Sequence, residues 1–324
     1  MHLPSRPWIR DDIPVAWRSD TSVEMGYPPR AARVDGVDRA HVTWLISLRG
    51  ERTMTEALEA GLARGLSRST MNRLARAAIA CGLLDDAAAV PAAVRSAPVE
   101  VRDRIAGDLS VLRQIHGADA HRAVERRVAA EVAVHGDNAL ADAVAMALAC
   151  AGVEHIVRAR SIQSGSRRHR RSSLRRTCEV ICTGGHPDAA SLPDAMALDI
   201  PHLAVCAAGP RAVIGPMVIP GRTSCLRCRD LHLSDADPTW PRAAVQWSAR
   251  RRVSTSAPLA QMAGAWAALQ VLALIDAGSR AVSAPTIDGA LIVTLPEASP
   301  RIEPRPSHPL CGCRWPRTGH GVSA

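Results

Sequence analysis

The chain has 324 residues, 47% of them hydrophobic, enough for two domains or for one large domain with an appendage. All 40 basic residues are arginine, which excludes lysine Schiff bases, Walker-type lysine contacts and ammonium clamps on a triphosphate. The formal net charge of +9 suits an acidic partner such as nucleic acid, an anionic peptide or a phosphate ligand, and equally a plain arginine-rich surface.

Residues 22–37 combine Pro, Gly and short β-prone pieces. Residues 39–48 carry Val42, Leu45, Ile46 and Leu48 at helical spacing. A second helix is expected over residues 55–62, capped by Thr53 or Thr55. Ser67 caps a third, with Met71, Leu74, Ala75, Ala78 and Ile79 on one face and Gly82 at its C′ position. Short strands with three short helices predict a winged-helix module over residues 1–86. Its third helix exposes Asn72, Arg73 and Arg76. Such side chains could enter a DNA major groove, or flank a groove that accepts an added peptide strand. A plain accessory or dimerisation module fits as well.

Residues 87–127 read as a linker and a bridging helix. From Val128 the pattern is strand (128–134), turn (His135, Gly136, Asp137, Asn138), helix (140–151) and strand (to Val157). That order predicts an α/β domain over residues 128–324 with a doubly wound, Rossmann-like parallel sheet. Further parallel strands are expected at residues 178–183 and 202–206, with β character again at 212–219 and 291–295. The longest apolar stretch, residues 257–277, contains Gln261, Gln270 and Asp276, which predicts a buried helix rather than a membrane span. The start, MHLPSRPWIRDD, lacks the apolar run of a signal peptide, so a cytoplasmic location is expected. In that compartment the nine cysteines are expected to be metal ligands or core residues rather than disulfides.

Two cysteine pairs carry the clearest chemistry. Cys225 and Cys228 form a C-x-x-C pair after the turn Pro220-Gly221-Arg222, and Cys311-Gly312-Cys313 lies near the C-terminus. Four thiolates suit the tetrahedral preference of Zn²⁺ and make a closed structural site. Gly312 would give the second pair the backbone freedom to turn both sulfurs to one point. The bland alternative is four unrelated thiols. Cys81, Cys150, Cys178, Cys182 and Cys206 lie in predicted helices or strands and read as inert core residues.

Residues 218–232, VIPGRTSCLRCRDLH, followed by DADPTWP at 235–241 and HPLCGC at 308–313, resemble the ThiF/MoeB (ubiquitin-activating-enzyme-like) family. Within it they are most similar to the cyclodehydratase and leader-peptide-binding proteins of thiazole/oxazole-modified peptide pathways. The resemblance covers about residues 128–315 and extends more weakly to the N-terminal module. It implies a ThiF-type domain, a peptide-recognition role for that module, a YcaO-type ATP-using partner enzyme, and the dimeric state common among ThiF relatives. Active relatives adenylate a C-terminal carboxylate, using a glycine-rich turn, a ribose-binding acid, a Lys, and an Asp for Mg²⁺.

This chain departs at each point. Only Gly136 remains of the turn, and Asp137 would repel a phosphate. The second strand ends Ile156-Val157-Arg158-Ala159-Arg160, without an acid. Lysine is absent. Residues 181–186, ICTGGH, carry glycine where the Mg²⁺ Asp is expected. The sequence thus argues against ATP binding and for a non-catalytic scaffold with structural zinc. The alternatives are an adenylyltransferase with a divergent nucleotide site and a winged-helix DNA-binding regulator. Arginine-rich runs at residues 167–176 and 250–252 read as solvated loops or anion sites; no aromatic interleaves the first, which disfavours base stacking. His232, His308 and His320 lack helical metal spacing and read as supporting or surface residues.

Overall fold

The computed structural model divides into two compact units, Met1–Glu125 and Arg126–Ala324. It describes residues 3–10, 13–29, 31–89, 99, 108–109, 111–113, 115–159, 176–187, 193–248 and 254–314. The basic run at 167–175, Arg250 to Arg252, His320 and most of the expected linker lie outside the described residues.

In the first unit, β2 (Val15–Ser19), β3 (Ser22–Met25) and β4 (Ala32–Asp35) form an antiparallel sheet with β3 in the middle. Strand β1 (Pro7–Ile9) pairs antiparallel with β5 (Leu84–Asp86). Between them run α1 (Arg39–Ile46), α2 (Met54–Leu62) and α3 (Arg68–Ala80). Each helix starts on a side-chain cap. Asp38 accepts from the His41 N–H at 2.9 Å, Thr53 and Glu56 form a reciprocal capping box, and Ser67 accepts from Thr70. The α2 cap is therefore Thr53; Thr55 already lies in the first turn. Helix α3 buries Met71, Leu74, Ala75 and Ala78 against Val23, Met25, Trp44 and Leu45. It ends at Cys81, followed by Gly82 with φ +77°, a left-handed position that favours glycine.

The second unit is a seven-stranded sheet in the order β12-β11-β10-β9-β8-β6-β7. The strands are β6 (Glu131–His135), β7 (His155–Ala159), β8 (Cys178–Thr183), β9 (His202–Ala208), β10 (Arg211–Val218), β11 (Gly289–Thr294) and β12 (Arg301–Pro304). Strands β7, β6, β8 and β9 are parallel neighbours; β9 to β12 run antiparallel. The strands expected to be parallel are so, and the later ones, for which no direction was expected, extend the sheet antiparallel. The two residues between β9 and β10 allow a hairpin, whereas a parallel step needs a long crossover. The first strand begins at Glu131, not Val128, because Val128 and Ala129 close α4 (Ala120–Ala129). In that last turn Arg127 makes a bidentate pair with Asp276, at 2.8 and 2.7 Å, both side chains buried.

Helix α5 (Ala139–Cys150) follows β6, α6 (Pro193–Ala197) precedes β9, and α7 (Leu226–Ala236), α8 (Trp240–Ser248) and α9 (Ala257–Ala277) follow β10. Strand β12 and helix α8 had no counterpart in the sequence pattern. Helix α9 is long and apolar enough to cross a membrane by composition. Here it packs on α5 and the sheet, burying Leu259, Val271, Leu272 and Ile275 in the main core. A Cβ on Gly264 would lie 2.5 Å from the Ala143 Cβ, so glycine permits the close approach of α9 to α5. A core almost without aromatics is built by bringing small residues together.

Candidate metal centre

The turn after β10 aims the first cysteine pair. The Thr223 hydroxyl accepts from the Ile219 N–H at 2.8 Å and donates to the Met217 carbonyl at 3.1 Å, closing the loop around Gly221, whose φ is +74°. Cys225 is then the N-cap of α7, and Cys228 lies one turn on, fully buried. Gly312, with φ +73°, turns Cys311 and Cys313 to the same point. All four sulfurs lie within 4.8 Å of one another. Cys225–Cys228 is 3.9 Å, Cys225–Cys311 3.5 Å and Cys228–Cys313 3.3 Å. A disulfide needs about 2.05 Å. A tetrahedron with Zn–S bonds of about 2.3 Å has edges near 3.8 Å. The four cysteines therefore have the donor set and spacing to hold a metal ion.

Their electrostatics argue the same way. The hydrogen bond from Cys225 pulls the Cys228 thiol down, while that same contact and burial push Cys225 up. Cys313 is pushed up to about 12, first by burial and then by Cys228. Four thiolates this close repel one another, and a divalent cation offsets that repulsion. The N-terminus of α7 adds positive potential at Cys225.

Of the residues that hold the C-terminal segment in place, the sequence reading had His308 as a supporting or surface residue and missed Asp288. The Asp288 carboxylate accepts from the Ser224 N–H and from Arg314, both at 2.6 Å, and so ties the two cysteine turns together. Asp288 has φ +49° and precedes Gly289, so an Asp-Gly turn signal was available. His308 pairs with Asp235 on α7 at 2.8 Å, and its Nδ1 accepts from the Leu310 N–H. His232 stacks edge-on with His308, centroids 4.7 Å apart, and His232, Asp235 and His308 form a second cluster of metal-ligating type.

Gly136 lies between β6 and α5, with φ +137°. A Cβ there would meet the Cys182 carbonyl oxygen at 2.6 Å, so strand packing alone accounts for the glycine. Asn138 caps α5 through the Ala141 N–H and donates to that same carbonyl at 3.2 Å. Beside it Arg158 pairs with Asp142 at 2.6 Å. Of the other expected site residues, Arg73 donates to the Asp35 carbonyl at 3.0 Å, Arg76 is exposed, and Asn72 is half-buried rather than exposed, with Oδ1 buried. Cys178 and Cys182 are core residues with thiols pushed up by burial, Cys182 to about 12. Cys150 is instead exposed at the end of α5.

No protein-family model matches the chain, and no curated protein sequence does. Solved structures do. E. coli MccB with succinimide matches over 96% of this chain and 99% of its own, at TM-score 0.63 and 13% identity. The fold is MccB-like. The heterocyclase TruD matches over 96% of this chain at TM-score 0.62 and 16% identity, and a heterocyclase in complex with substrate and cofactor over 95% at 0.64 and 17%. This chain spans 43% and 39% of those two longer proteins. MccB has also been solved with ATP and with N-formylated MccA.

Proposed function

We propose that the chain is a non-catalytic, ThiF-like scaffold of ribosomal peptide modification. It captures the leader segment of a precursor peptide and presents it to a YcaO-type cyclodehydratase in the cytoplasm. Residues 1–86 act as a winged-helix recognition module, residues 87–127 as its tether, and residues 128–324 as a domain stapled by structural Zn²⁺ on Cys225, Cys228, Cys311 and Cys313. One observation supports the reading: a fold shared end to end with MccB, and with part of the longer heterocyclases, carries a four-sulfur cluster, while the turn at Gly136 is filled by the protein's own contacts.

The recognition surface is the β4 edge beside α3. Among the described residues β4 pairs only with β3, and α3 carries Asn72, Arg73 and Arg76. An added peptide strand would gain main-chain hydrogen bonds from the edge, and acidic side chains would meet the arginines. Fluorescence anisotropy with a labelled leader peptide from the same gene neighbourhood tests this. Arg73→Ala with Arg76→Ala should weaken binding about tenfold or more; unchanged affinity contradicts it.

A second reading is an adenylyltransferase with an unusual nucleotide site, favoured by the MccB structure with ATP. It predicts micromolar ATP–Mg²⁺ binding by isothermal titration and pyrophosphate exchange with a carrier C-terminus. The scaffold reading predicts neither.

A further inference from the structure

A cavity of about 510 Å³ lies on the sheet face turned away from α9. Leu203, Val205, Ala207, Ala212 and Ile214 join the core around α9, so their alternating neighbours Ala204, Cys206, Arg211 and Val213 face the cavity side. Helix α7 closes it with Arg229 and Leu233, α8 with Trp240 and Trp247, and the segment after β12 with Arg305.

The charges in this cavity do not balance. Its described lining holds three arginines and one acid, Glu303. Arg229 is satisfied by Asp230, at 2.9 and 2.6 Å, and by the Pro187 carbonyl. Arg305 has only a 3.3 Å contact to Glu303, and its Nε is buried without a hydrogen-bond partner. Burial weakens its hold on its proton; Glu303 opposes this, and the charges of Arg229 and Arg211 add to it. Arg211 has no ion-pair partner among the described residues. The indole N–H of Trp240 is likewise buried and unpartnered. Its ring is fixed edge-on between His186 and Trp247, at 5.0 and 5.4 Å. Buried donors without acceptors cost stability, and a cation kept from water needs an anion.

We propose that this cavity binds a small organic oxyanion, a carboxylate or phosphate on an apolar body. Arg305 and Arg211 meet the charge, the Trp240 N–H adds a neutral donor, and the indole faces cover the apolar part. The cavity does not include Gly136 but takes in Gly185 and His186, from the segment where relatives carry the Mg²⁺ Asp, and the inference does not depend on the scaffold reading.

Isothermal titration of the full chain at fixed ionic strength tests it with three probes: phenylacetate, phenyl phosphate and the neutral phenylacetamide. At least one anion should bind saturably, at one per chain and at least tenfold tighter than the amide. The better anion identifies the oxyanion as carboxylate or phosphate. Arg305→Gln and, separately, Arg211→Gln should each weaken that anion about tenfold while the thermal melt stays within a few degrees of the parent. Arg211 is exposed, so its variant decides the matter if Arg305→Gln does not fold. Equal binding of amide and anions, no anion binding, or unchanged affinity in Arg211→Gln overturns the proposal.

Discussion

The two places in the second unit where this fold could carry chemistry differ in how their polar groups are used. At the β6–α5 turn the groups that would face a ligand are taken up by the protein itself: Asn138 by the helix N-terminus and the Cys182 carbonyl, Arg158 by Asp142. At the cysteine cluster four sulfurs converge on one another, at 3.9, 3.5 and 3.3 Å, with backbone groups of Cys225, Cys228 and His308 as further partners. The first arrangement is held together by the protein's own contacts; the second has a donor set that a cation would complete.

The comparison breaks most visibly at the staple. Cys228→Ser removes a fully buried sulfur, and should lower the stability of the second unit by several kcal/mol and abolish metal retention. A thermal melt with and without chelator checks this: the parent should lose stability on chelation and the variant should not respond. Next in size is Arg127→Ala, which removes the bidentate partner of the buried Asp276 carboxylate and should cost about 3–5 kcal/mol in urea unfolding without changing metal content.

Gly136→Ala sharpens the other side. The added Cβ meets backbone at 2.6 Å in a left-handed conformation, so a loss of about 2 kcal/mol or more is expected, with leader-peptide affinity unchanged. A nucleotide site would instead reveal itself as a loss of ATP binding.

The smallest effect is on acid stability. Burial lowers the pKa of His202 below 6.5, so the unfolded chain takes up a proton there that the folded chain resists. Glu179 is held at about 2: burial opposes ionisation, but His135 and Arg176 outweigh it. Both contributions are present at neutral pH. The His202 term is lost as pH falls below 6.5, and the Glu179 term as it falls from 4.5 towards 2. Tm should therefore drop by a few degrees between pH 7 and 5 and further below 4.5. His202→Asn should flatten the first step.

Helix positions were legible because capping residues and apolar spacing act locally: Ser67, Gly82 and the face of α3 all follow from neighbours in sequence. The cysteine pairs were legible because a metal site requires particular residue types at short spacing. The antiparallel half of the sheet was not, since an apolar run does not state its direction. Strand β12 was missed because all four of its residues are exposed, leaving no buried face to give a pattern. His308 was legible as a supporting residue, but its partner Asp235 and the role of Asp288 were not, because those contacts span 73 and 64 residues of the chain.

The most direct test of the staple is elemental analysis with X-ray absorption on chain purified without added metal. One zinc per chain in an all-sulfur shell at about 2.3 Å, lost in Cys225→Ser and in Cys313→Ser alike, is the predicted result. Zinc-free protein with an unaltered melt, or zinc retained in either variant, would contradict it.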